Sequence, residues 1–486
     1  MSGNGALVGL EPALVWQRFG ELTRIARPSK QEDEARAHVL AWAGARDLDA
    51  NVDVAGNAVV RIPPSPGRED APIVVLQAHI DMVCERDTES PYDPREGRIH
   101  VVLDGDWVVA EGTTLGADNG IGVAAAMAVA DDSAIEHGPL ELLFTVSEEE
   151  GLDGAKALDP SLVSGRVLVN LDGTSDDVIT AGCAGSAHTF VRLPLRVEPV
   201  PNGYVALELA LSGARGGHSG GDITRGRVNA IKALGRVLGV AYERAPFQLA
   251  GFSGGVSRNA IPRDARARVM LDPEFEPLLR ESAIRQLDAL RGQFSTTETA
   301  LALSIERSQM GAAASPDTTA RALDLALAIP TGVIAMSPHV SGTVETSTSL
   351  TVAATQDEVL TLASMTRSSN AAALDDVVST LEAIARLSGA EIEVRRSYRP
   401  WRPDPESQLL ATARATFECL FRSPPRLEVV HGGLECAVIG EKLPGIEMIS
   451  IGPAIVGLHA PGERLGISST QRFYRLLGAL LDDLSS

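Results

Sequence analysis

The sequence predicts an α/β protein in which a second, α+β domain interrupts the first. In the first third of the chain, short apolar runs with strand character alternate with helical patterns, and polar residues collect where the runs end. From about residue 187 the pattern changes to alternating strands mixed with helices, and the earlier pattern resumes after a proline-rich crossing at 399–405. We therefore expect one domain from residues 1–186 and 397–486, with 187–396 inserted into it.

Length and composition limit the classes of protein that this chain can belong to. At 486 residues it exceeds one ordinary core, which favours two or three domains. A net charge of −21 argues against nucleic acid or acidic membrane as a general partner. No apolar run approaches the roughly 20 residues that span a bilayer, and no signal peptide is evident, so we expect a soluble, cytoplasmic protein. The four cysteines form no CxxC pair, so a metal would be held by His, Asp and Glu.

The first domain should open with two helices and continue through strands. Helical spacing covers residues 12–26, and Ser29 with Glu32 forms a possible capping box for a second helix that reaches about residue 46. Strands are expected at 59–62, 73–80, 98–103, 107–110, 140–146 and 167–171, with 98–110 forming a hairpin. A glycine-rich loop at 115–120 opens a helix at 121–130, and helices at 406–421 and 469–481 complete the domain.

The inserted domain shows both kinds of pattern. Helices are expected at 225–240, 280–291, 318–328 and 375–388. Strands are expected within 191–211 and at 266–271, 301–308 and 344–352.

A histidine and an aspartate follow each other at the end of the buried strand 73–80. Strand side chains alternate, so His79 and Asp81 lie on one face. An imidazole on a metal with a carboxylate behind it is a common arrangement. A single His-x-Asp is weak evidence, and it gains meaning only if other ligands follow in the chain.

Further metal-binding side chains stand at strand ends or in tight loops. They are Asp118, Glu148, Glu149, Asp172 and His459. Each has a plain alternative, namely a helix N-cap, a solvated acidic turn, a turn residue or a loop histidine. Together with His79 they supply two imidazoles and four carboxylates. A pair of zinc ions needs two imidazoles and three carboxylates, one of them bridging, which leaves one glutamate over. Adjacent glutamates would divide the work, one binding metal and the other taking a proton from water.

Motifs along nearly the whole chain resemble the zinc-dependent dipeptidase and deacylase superfamily, most closely the aminoacyl-histidine (Xaa-His) dipeptidases. The motifs are QAHIDMV (77–83), LGADNGIG (115–122), EEEGLDGA (148–155), NLDG (170–173), GCAG (182–185), GGHSGGDI (216–223), RNAIPR (258–263), RSS (367–369), HGGLEC (431–436) and GPAIVGLHAPGER (452–464). The resemblance implies an α/β catalytic domain with two zinc ions and an inserted α+β lid or dimerisation domain.

The resemblance also implies roles for the metal-binding side chains. His79 and Asp172 would hold one zinc ion, Glu149 and His459 the other, and Asp118 would bridge both. Asp81 would orient His79. Glu148 would be the general base and acid that activates the water between the ions. Manganese or cobalt are alternatives to zinc.

In the insert, the resemblance implies residues that bind substrate and a homodimer formed through the lid. His218 would help to stabilise the oxyanion, and Arg367 would bind the C-terminal carboxylate of the substrate, which suits a planar guanidinium. Asn229 and Asn259 would add hydrogen bonds, with a capping or loop role as the alternative for each.

We therefore expect a dipeptidase that cleaves unblocked dipeptides, of the Xaa-His type or with broad specificity. A deacylase or carboxypeptidase of the same superfamily, or a silent metal-binding relative, are the alternatives. Two G-x-S-x-G sequences, at Ser219 and Ser253, make a serine hydrolase a further alternative to consider. That class needs its serine on a sharp turn between a strand and a helix, and neither serine has that setting in the predicted elements.

Overall fold

The computed structural model describes residues 3–338 and 340–486. The chain forms two compact units. The first contains the chain up to Cys183, Trp401–Val430 and Leu434–Ser486, and the second contains Ala184–Pro400 with His431–Gly433. The inserted unit begins before residue 187 and ends after residue 396 because its first strand, Gly185–Pro194, and its last strand, Glu391–Tyr398, pair with each other and extend beyond those limits.

A mixed, mostly parallel sheet forms the centre of the first unit. Its strands run in the order Asp49–Val52, Ala58–Ile62, Leu140–Thr145, Val74–His79, Val167–Asn170, Glu447–Ser450, Val178–Cys183 and Arg426–Val430. The strand Val74–His79 is buried at every residue, which explains why its sequence lacks alternation. A smaller antiparallel sheet contains the predicted hairpin, Val101–Asp104 paired with Trp107–Ala110, and also Arg464–Gly466 and Ile455–Val456.

Helices pack around this sheet and bury an apolar core. They are Ala13–Leu22, Asp33–Gly44, Ala117–Asp131, Asp153–Ala157, Gln408–Phe421, Glu435–Lys442 and Ile467–Ser485. The helix Ala117–Asp131 is apolar on every side and almost wholly buried, as a helix inside a core should be. Short 3₁₀ turns lie at Gly3–Leu7, Pro94–Glu96 and Pro160–Leu162.

The predicted capping box at Ser29 is wrong. The second helix begins at Asp33, and no side chain caps it. Ser29 instead donates a hydrogen bond to Asp81. The Glu32 carboxylate accepts from the backbone N–H groups of Lys30 and Ser147, both at 2.8 Å. Both residues are used by tertiary contacts more than fifty residues away, which a local pattern does not reveal.

The second unit is an antiparallel sheet with helices. Its strands run in the order Ala302–Arg307, Val205–Ser212, Ala265–Leu271, Gln248–Gly254, Val344–Gln356, Val359–Ser368, Gly185–Pro194 and Glu391–Tyr398, and Gly332–Met336 pairs with Val344–Gln356. Its helices are Ala230–Arg244, Glu276–Gln293, Pro316–Ala328 and Ala371–Ser388. Short strand pairs join Val197–Glu198 to Ala313–Ala314 and Gly217–His218 to Ala260–Ile261, and 3₁₀ turns lie at Ile223–Arg225 and Pro273–Phe275. A second apolar core lies between this sheet and its helices.

Candidate metal centre

Three neighbouring parallel strands bring polar side chains to one edge of the first unit's sheet. The strands lie in the order Leu140–Thr145, Val74–His79 and Val167–Asn170. His79 ends the central strand, Glu148 and Glu149 follow one neighbour, and Asp172 follows the other. The carboxyl ends of parallel strands meet at the same edge, and ligand sites of α/β proteins lie there. The fold therefore gathers residues that are about ninety positions apart in the chain.

The Asp118 carboxylate lies between the two histidines. His79 Nε2 is 3.0 Å from Asp118 Oδ1, and His459 Nε2 is 3.3 Å from Asp118 Oδ2. His459 Nε2 is also 3.1 Å from Glu149 Oε1. On the other side, His79 Nε2 is 3.6 Å from Asp172 Oδ1. Asp118 thus presents one oxygen to each imidazole, and each imidazole faces a further carboxylate of its own.

Glycines let the loop that carries Asp118 approach its neighbours closely. Gly116 has a φ of +67°, and a Cβ there would lie 2.5 Å from a guanidinium nitrogen of Arg27. A Cβ at Gly122 would lie 2.7 Å from the carbonyl oxygen of Leu171, the residue before Asp172. Side chains at these positions would push the loop away from the strand ends, so the LGADNGIG motif is explained by this packing.

Three groups of histidine and carboxylate side chains in the described part of the chain place ligand atoms within 4.8 Å of one another. They are His79 with Asp118 and Asp172, Asp118 with Glu149 and His459, and His79 with Glu148 and Glu149. The first two groups share Asp118. Imidazole nitrogen and carboxylate oxygen are the donors that zinc and similar divalent ions accept. The residues present therefore fit a pair of divalent metal ions.

The charges within the cluster favour a cation. Burial and the neighbouring Asp118 charge raise the pKa of Asp172 to about 7. Hydrogen bonds with Asp118 and Glu149 raise the pKa of His459 to about 10. Burial lowers the pKa of His79, but Asp172 and Asp118 outweigh it and raise that pKa well above its usual value. The carboxylates thus favour positive charge at the imidazoles, and a divalent ion would supply such a charge.

Asp81 lies behind His79 and is fully buried. Its Oδ1 is 3.2 Å from His79 Nδ1, and its carboxylate accepts hydrogen bonds from the backbone N–H groups of Glu148 and Glu149 at 3.0 and 3.2 Å. Burial raises the pKa of Asp81, but the hydrogen bonds with His79 and Ser29 outweigh it and lower the value to about 2. The ionised Asp81 therefore touches both the imidazole and the turn that carries the two glutamates.

The acidic run after Thr145 separates into different environments. Glu148 and Glu149 are half-buried and stand with His79 in one group. Glu150 is exposed and forms an ion pair with Lys30 at 2.7 Å. Burial raises the pKa of Glu148 well above its usual value, and the charges of Asp172 and Glu435 add to this. A carboxyl group with a raised pKa is suited to exchange protons near neutral pH.

The profile of the family described as "Peptidase family M20/M25/M40" matches residues 75–483. The chain belongs to this family.

Relatives of this M20 peptidase match it over almost the whole length. It is 37% identical over 479 residues to the cytosol non-specific dipeptidase of Escherichia coli (strain K12). The matched residues cover 98% of each chain. It is similar to the crystal structure of aminoacylhistidine dipeptidase from Vibrio alginolyticus, with 36% identity, a TM-score of 0.90, and 98% and 97% of the two chains covered. The aminopeptidase PepT of Bacillus cereus shares the fold, with 15% identity, a TM-score of 0.57, and 98% and 100% covered.

Sequence reasoning missed two buried charged residues that hold the ligand loops of this M20 peptidase. The Glu463 carboxylate accepts hydrogen bonds from four consecutive backbone N–H groups, those of Leu115, Gly116, Ala117 and Asp118, at 2.8, 3.0, 2.8 and 3.4 Å. Arg27 donates to the carbonyl oxygens of Ile80, Asp81 and Gly116 at 3.2, 2.9 and 2.5 Å. Both lie far in sequence from the loops they hold. Glu463 stands in the GPAIVGLHAPGER motif, four residues after His459, but the sequence does not show that its carboxylate binds the loop at 115–118.

The four residues proposed to bind substrate lie in the inserted unit. Arg367 is 5% exposed and hydrogen-bonds to Tyr398, and no acidic side chain of the described residues forms an ion pair with it. The Nδ1 atom of His218 accepts from the backbone N–H of Gly221 at 2.9 Å, which leaves Nε2 to carry the proton of the neutral ring. The Asn229 side chain caps the helix Ala230–Arg244 and donates to the Leu350 carbonyl at 2.6 Å. Asn259 is exposed.

Neither G-x-S-x-G serine occupies a nucleophile elbow. Ser253 lies within the strand Gln248–Gly254, and Ser219 follows the short strand Gly217–His218 and precedes only the 3₁₀ turn Ile223–Arg225. A nucleophilic serine needs a turn that joins a strand directly to a helix.

In the described part of the chain, none of the helices has the length and apolar character needed to cross a membrane.

Proposed function

We propose that this chain is a metal-dependent dipeptidase that hydrolyses unblocked dipeptides, of the Xaa-His type or with broad specificity. The observation that carries the proposal is the Asp118 carboxylate, whose two oxygens face His79 and His459 at 3.0 and 3.3 Å. The 37% identity to a cytosol non-specific dipeptidase over 98% of the chain supports the substrate class. The same similarity supports a cytoplasmic location.

The proposed metal centre holds two divalent ions, for which we propose zinc. His79 and Asp172 would bind one ion, Glu149 and His459 the other, and Asp118 both. When bound, the ions polarise the scissile carbonyl and make water a better nucleophile. The ion pairs and hydrogen bonds among these side chains are the support for this division, since each imidazole faces Asp118 and one further carboxylate.

Glu148 is the proposed general base and acid. It would take a proton from the attacking water and deliver it to the leaving amine, which matches a carboxyl whose pKa burial raises. Asp81 would keep His79 oriented through its contact with Nδ1, so that Nε2 faces the other ligands. The backbone hydrogen bonds from Glu148 and Glu149 to Asp81 link the base to the same support.

In the inserted unit, Arg367 and His218 are the proposed substrate-binding residues. A buried guanidinium without an acidic partner favours an anion, and the C-terminal carboxylate of a dipeptide is such an anion. His218 would donate from Nε2 to the substrate carbonyl. For Asn229 and Asn259 we favour the capping and loop roles, because the Asn229 amide is already used by its helix and Leu350. We also propose a homodimer formed through the inserted unit, which light scattering of the purified protein would test.

The experiment that tests the function is a substrate panel with a metal panel. The chelated protein is reloaded with zinc, manganese or cobalt and assayed on dipeptides, including Xaa-His, and on N-blocked and C-amidated analogues. We expect hydrolysis only with metal, and only of dipeptides with both ends free. Cleavage of N-acylated amino acids instead would indicate a deacylase, and release of C-terminal residues from longer peptides a carboxypeptidase. No cleavage by fully loaded protein would indicate a silent metal-binding relative.

A further inference from the structure

A layer of buried polar side chains lies directly beneath the ligands of the proposed metal centre. Gln77 and Asn170 stand two residues before His79 and Asp172 on adjacent parallel strands. Side chains two residues apart in a strand point to the same face, one step of about 6.6 Å along the strand. Gln77 is therefore the next side chain below His79, and Asn170, which ends the adjacent strand, lies beside Gln77 and two residues before Asp172. Both Gln77 and Asn170 have 0% of their surface exposed.

These side chains form a continuous chain of hydrogen bonds. Asp172 donates its backbone N–H to Asn170 Oδ1 at 3.1 Å, and Asn170 Nδ2 donates to Gln77 Oε1 at 2.6 Å. Gln77 Nε2 then donates to Glu435 Oε2 at 2.6 Å. Each amide donates with its nitrogen and accepts with its oxygen in the same direction. The series of hydrogen bonds therefore has one orientation and ends on the Glu435 carboxylate.

Glu435 also connects a third strand, Leu140–Thr145, to this series of hydrogen bonds. Its Oε2 also accepts from the hydroxyl of Thr145, at 2.7 Å, and Thr145 lies directly beside His79 in the sheet. Gln77 Nε2 donates to Thr145 Oγ1 at 3.1 Å, which closes a triangle of three buried groups. Glu435 itself is the first residue of the helix Glu435–Lys442, more than 350 positions from Gln77. One distant carboxylate thus connects the strands that carry His79, Asp172 and the acidic turn.

A buried carboxylate at this position is costly. Glu435 is 1% exposed, and its Oε1 has no hydrogen-bond partner among the described residues. Burial raises the pKa of Glu435 to about 7. The backbone ladder already joins these strands, and an apolar side chain would fill the same volume without the desolvation penalty. The polar network adds a fixed spacing and direction for the side chains at the strand ends, which apolar packing does not specify.

We propose that Glu435 is a positioning residue of the metal centre, which fixes the strand ends that carry His79, Asp172 and the acidic turn by accepting hydrogen bonds from Gln77 and Thr145. The inference rests on the proposed function only in that a divalent ion binds at the cluster. The role belongs to the acceptor oxygen and its geometry. A neutral side chain with the same oxygen in the same place should therefore perform it.

The test compares Glu435→Gln with Glu435→Met in the full-length protein loaded with cobalt. We expect Glu435→Met to weaken cobalt affinity 10- to 100-fold, as for other residues that support metal ligands, and to change the visible absorption spectrum of the bound cobalt. Glu435→Gln keeps an oxygen for both hydrogen bonds, so its affinity should stay within about 3-fold of wild type, with the wild-type spectrum. Thr145→Val, which removes one donor with little change of shape, should fall between them.

A matched control lies near the opposite end of the strand Leu140–Thr145, which ends at Thr145. Glu141 is 2% exposed and accepts backbone N–H bonds from Ser164 and Gly165 at 2.9 and 3.0 Å. Glu141→Met should lower the free energy of unfolding but leave cobalt affinity and spectrum unchanged. The inference is wrong if Glu435→Met and Thr145→Val both bind cobalt with wild-type affinity and spectrum, or if Glu435→Gln is as impaired as Glu435→Met. Wild-type protein that binds no cobalt would instead overturn the proposed metal centre itself.

Discussion

The Glu463 carboxylate is expected to determine both the stability of the first unit and the affinity of its metal centre. Each of its oxygens accepts from two backbone N–H groups, Oε2 from Leu115 and Gly116 and Oε1 from Ala117 and Asp118. Glu463→Gln changes few atoms but places an NH₂ group where one oxygen was. Whichever way the amide turns, two backbone N–H groups then face a donor.

The expected magnitude follows from those lost bonds. A buried donor left without a partner costs about 1–3 kcal/mol, and two of them in a site with 2% exposure give about 2–6 kcal/mol of lost unfolding free energy. The same loop carries Asp118, so its displacement should also weaken metal binding, on the order of 10-fold or more.

Two measurements test this prediction. Urea unfolding of the metal-free protein gives the stability change, and competition with a chromogenic chelator gives the metal affinity. Glu418→Gln, at an exposed position, is the control and should change neither. A Glu463→Gln protein with wild-type unfolding and wild-type metal affinity would show this prediction to be wrong, since the loop would then hold its shape without the carboxylate.

Three further predictions concern the proposed chemistry. Glu148→Gln should reduce kcat on the order of 10²–10⁴-fold while metal content by mass spectrometry stays at the wild-type value; near-normal kcat here with loss in Glu149→Gln would reverse the two roles. Asp81→Asn should weaken metal binding on the order of 10–100-fold in the chelator competition, because His79 loses its support, and unchanged affinity would remove that role. Arg367→Ala should raise KM for free dipeptides by about 10–100-fold, the value of a charge-assisted hydrogen bond, but leave C-amidated analogues unchanged; equal effects on both would argue against carboxylate binding.

The sequence alone predicted the elements that carry the site because their signals are local. Buried strands without alternation, such as Val74–His79, and the hairpin Val101–Asp104 with Trp107–Ala110 depend on patterns within a few residues. His79, Glu148, Glu149 and Asp172 were expected near one another because parallel strands place their carboxyl ends at one edge, and their side chains do lie together. Their roles came from the family resemblance and stay predictions. Helix limits moved by a few residues, as at Ala371–Ser388, where Asn370 supplies the N-cap.

The sequence did not reveal the residues that support the site across long distances. Glu463 contacts a loop more than 340 positions away, and Arg27 contacts a loop 89 positions away. Ser29 and Glu32 had the spacing of a capping box, and tertiary hydrogen bonds to Asp81 and Ser147 use them instead. Buried charged groups look like ordinary surface residues in a sequence, because only the folded chain shows that their environment is closed to water.

The proposed two-metal dipeptidase is tested most directly by the number of metal ions that one chain binds, measured together with dipeptide hydrolysis. Metal-free protein is titrated with zinc by calorimetry, and the rate on an unblocked dipeptide is followed at each ratio. Because Asp118 faces both His79 and His459, we expect two equivalents per chain and hydrolysis that depends on them. Binding of a single equivalent, or full hydrolysis by protein freed of metal, would contradict it.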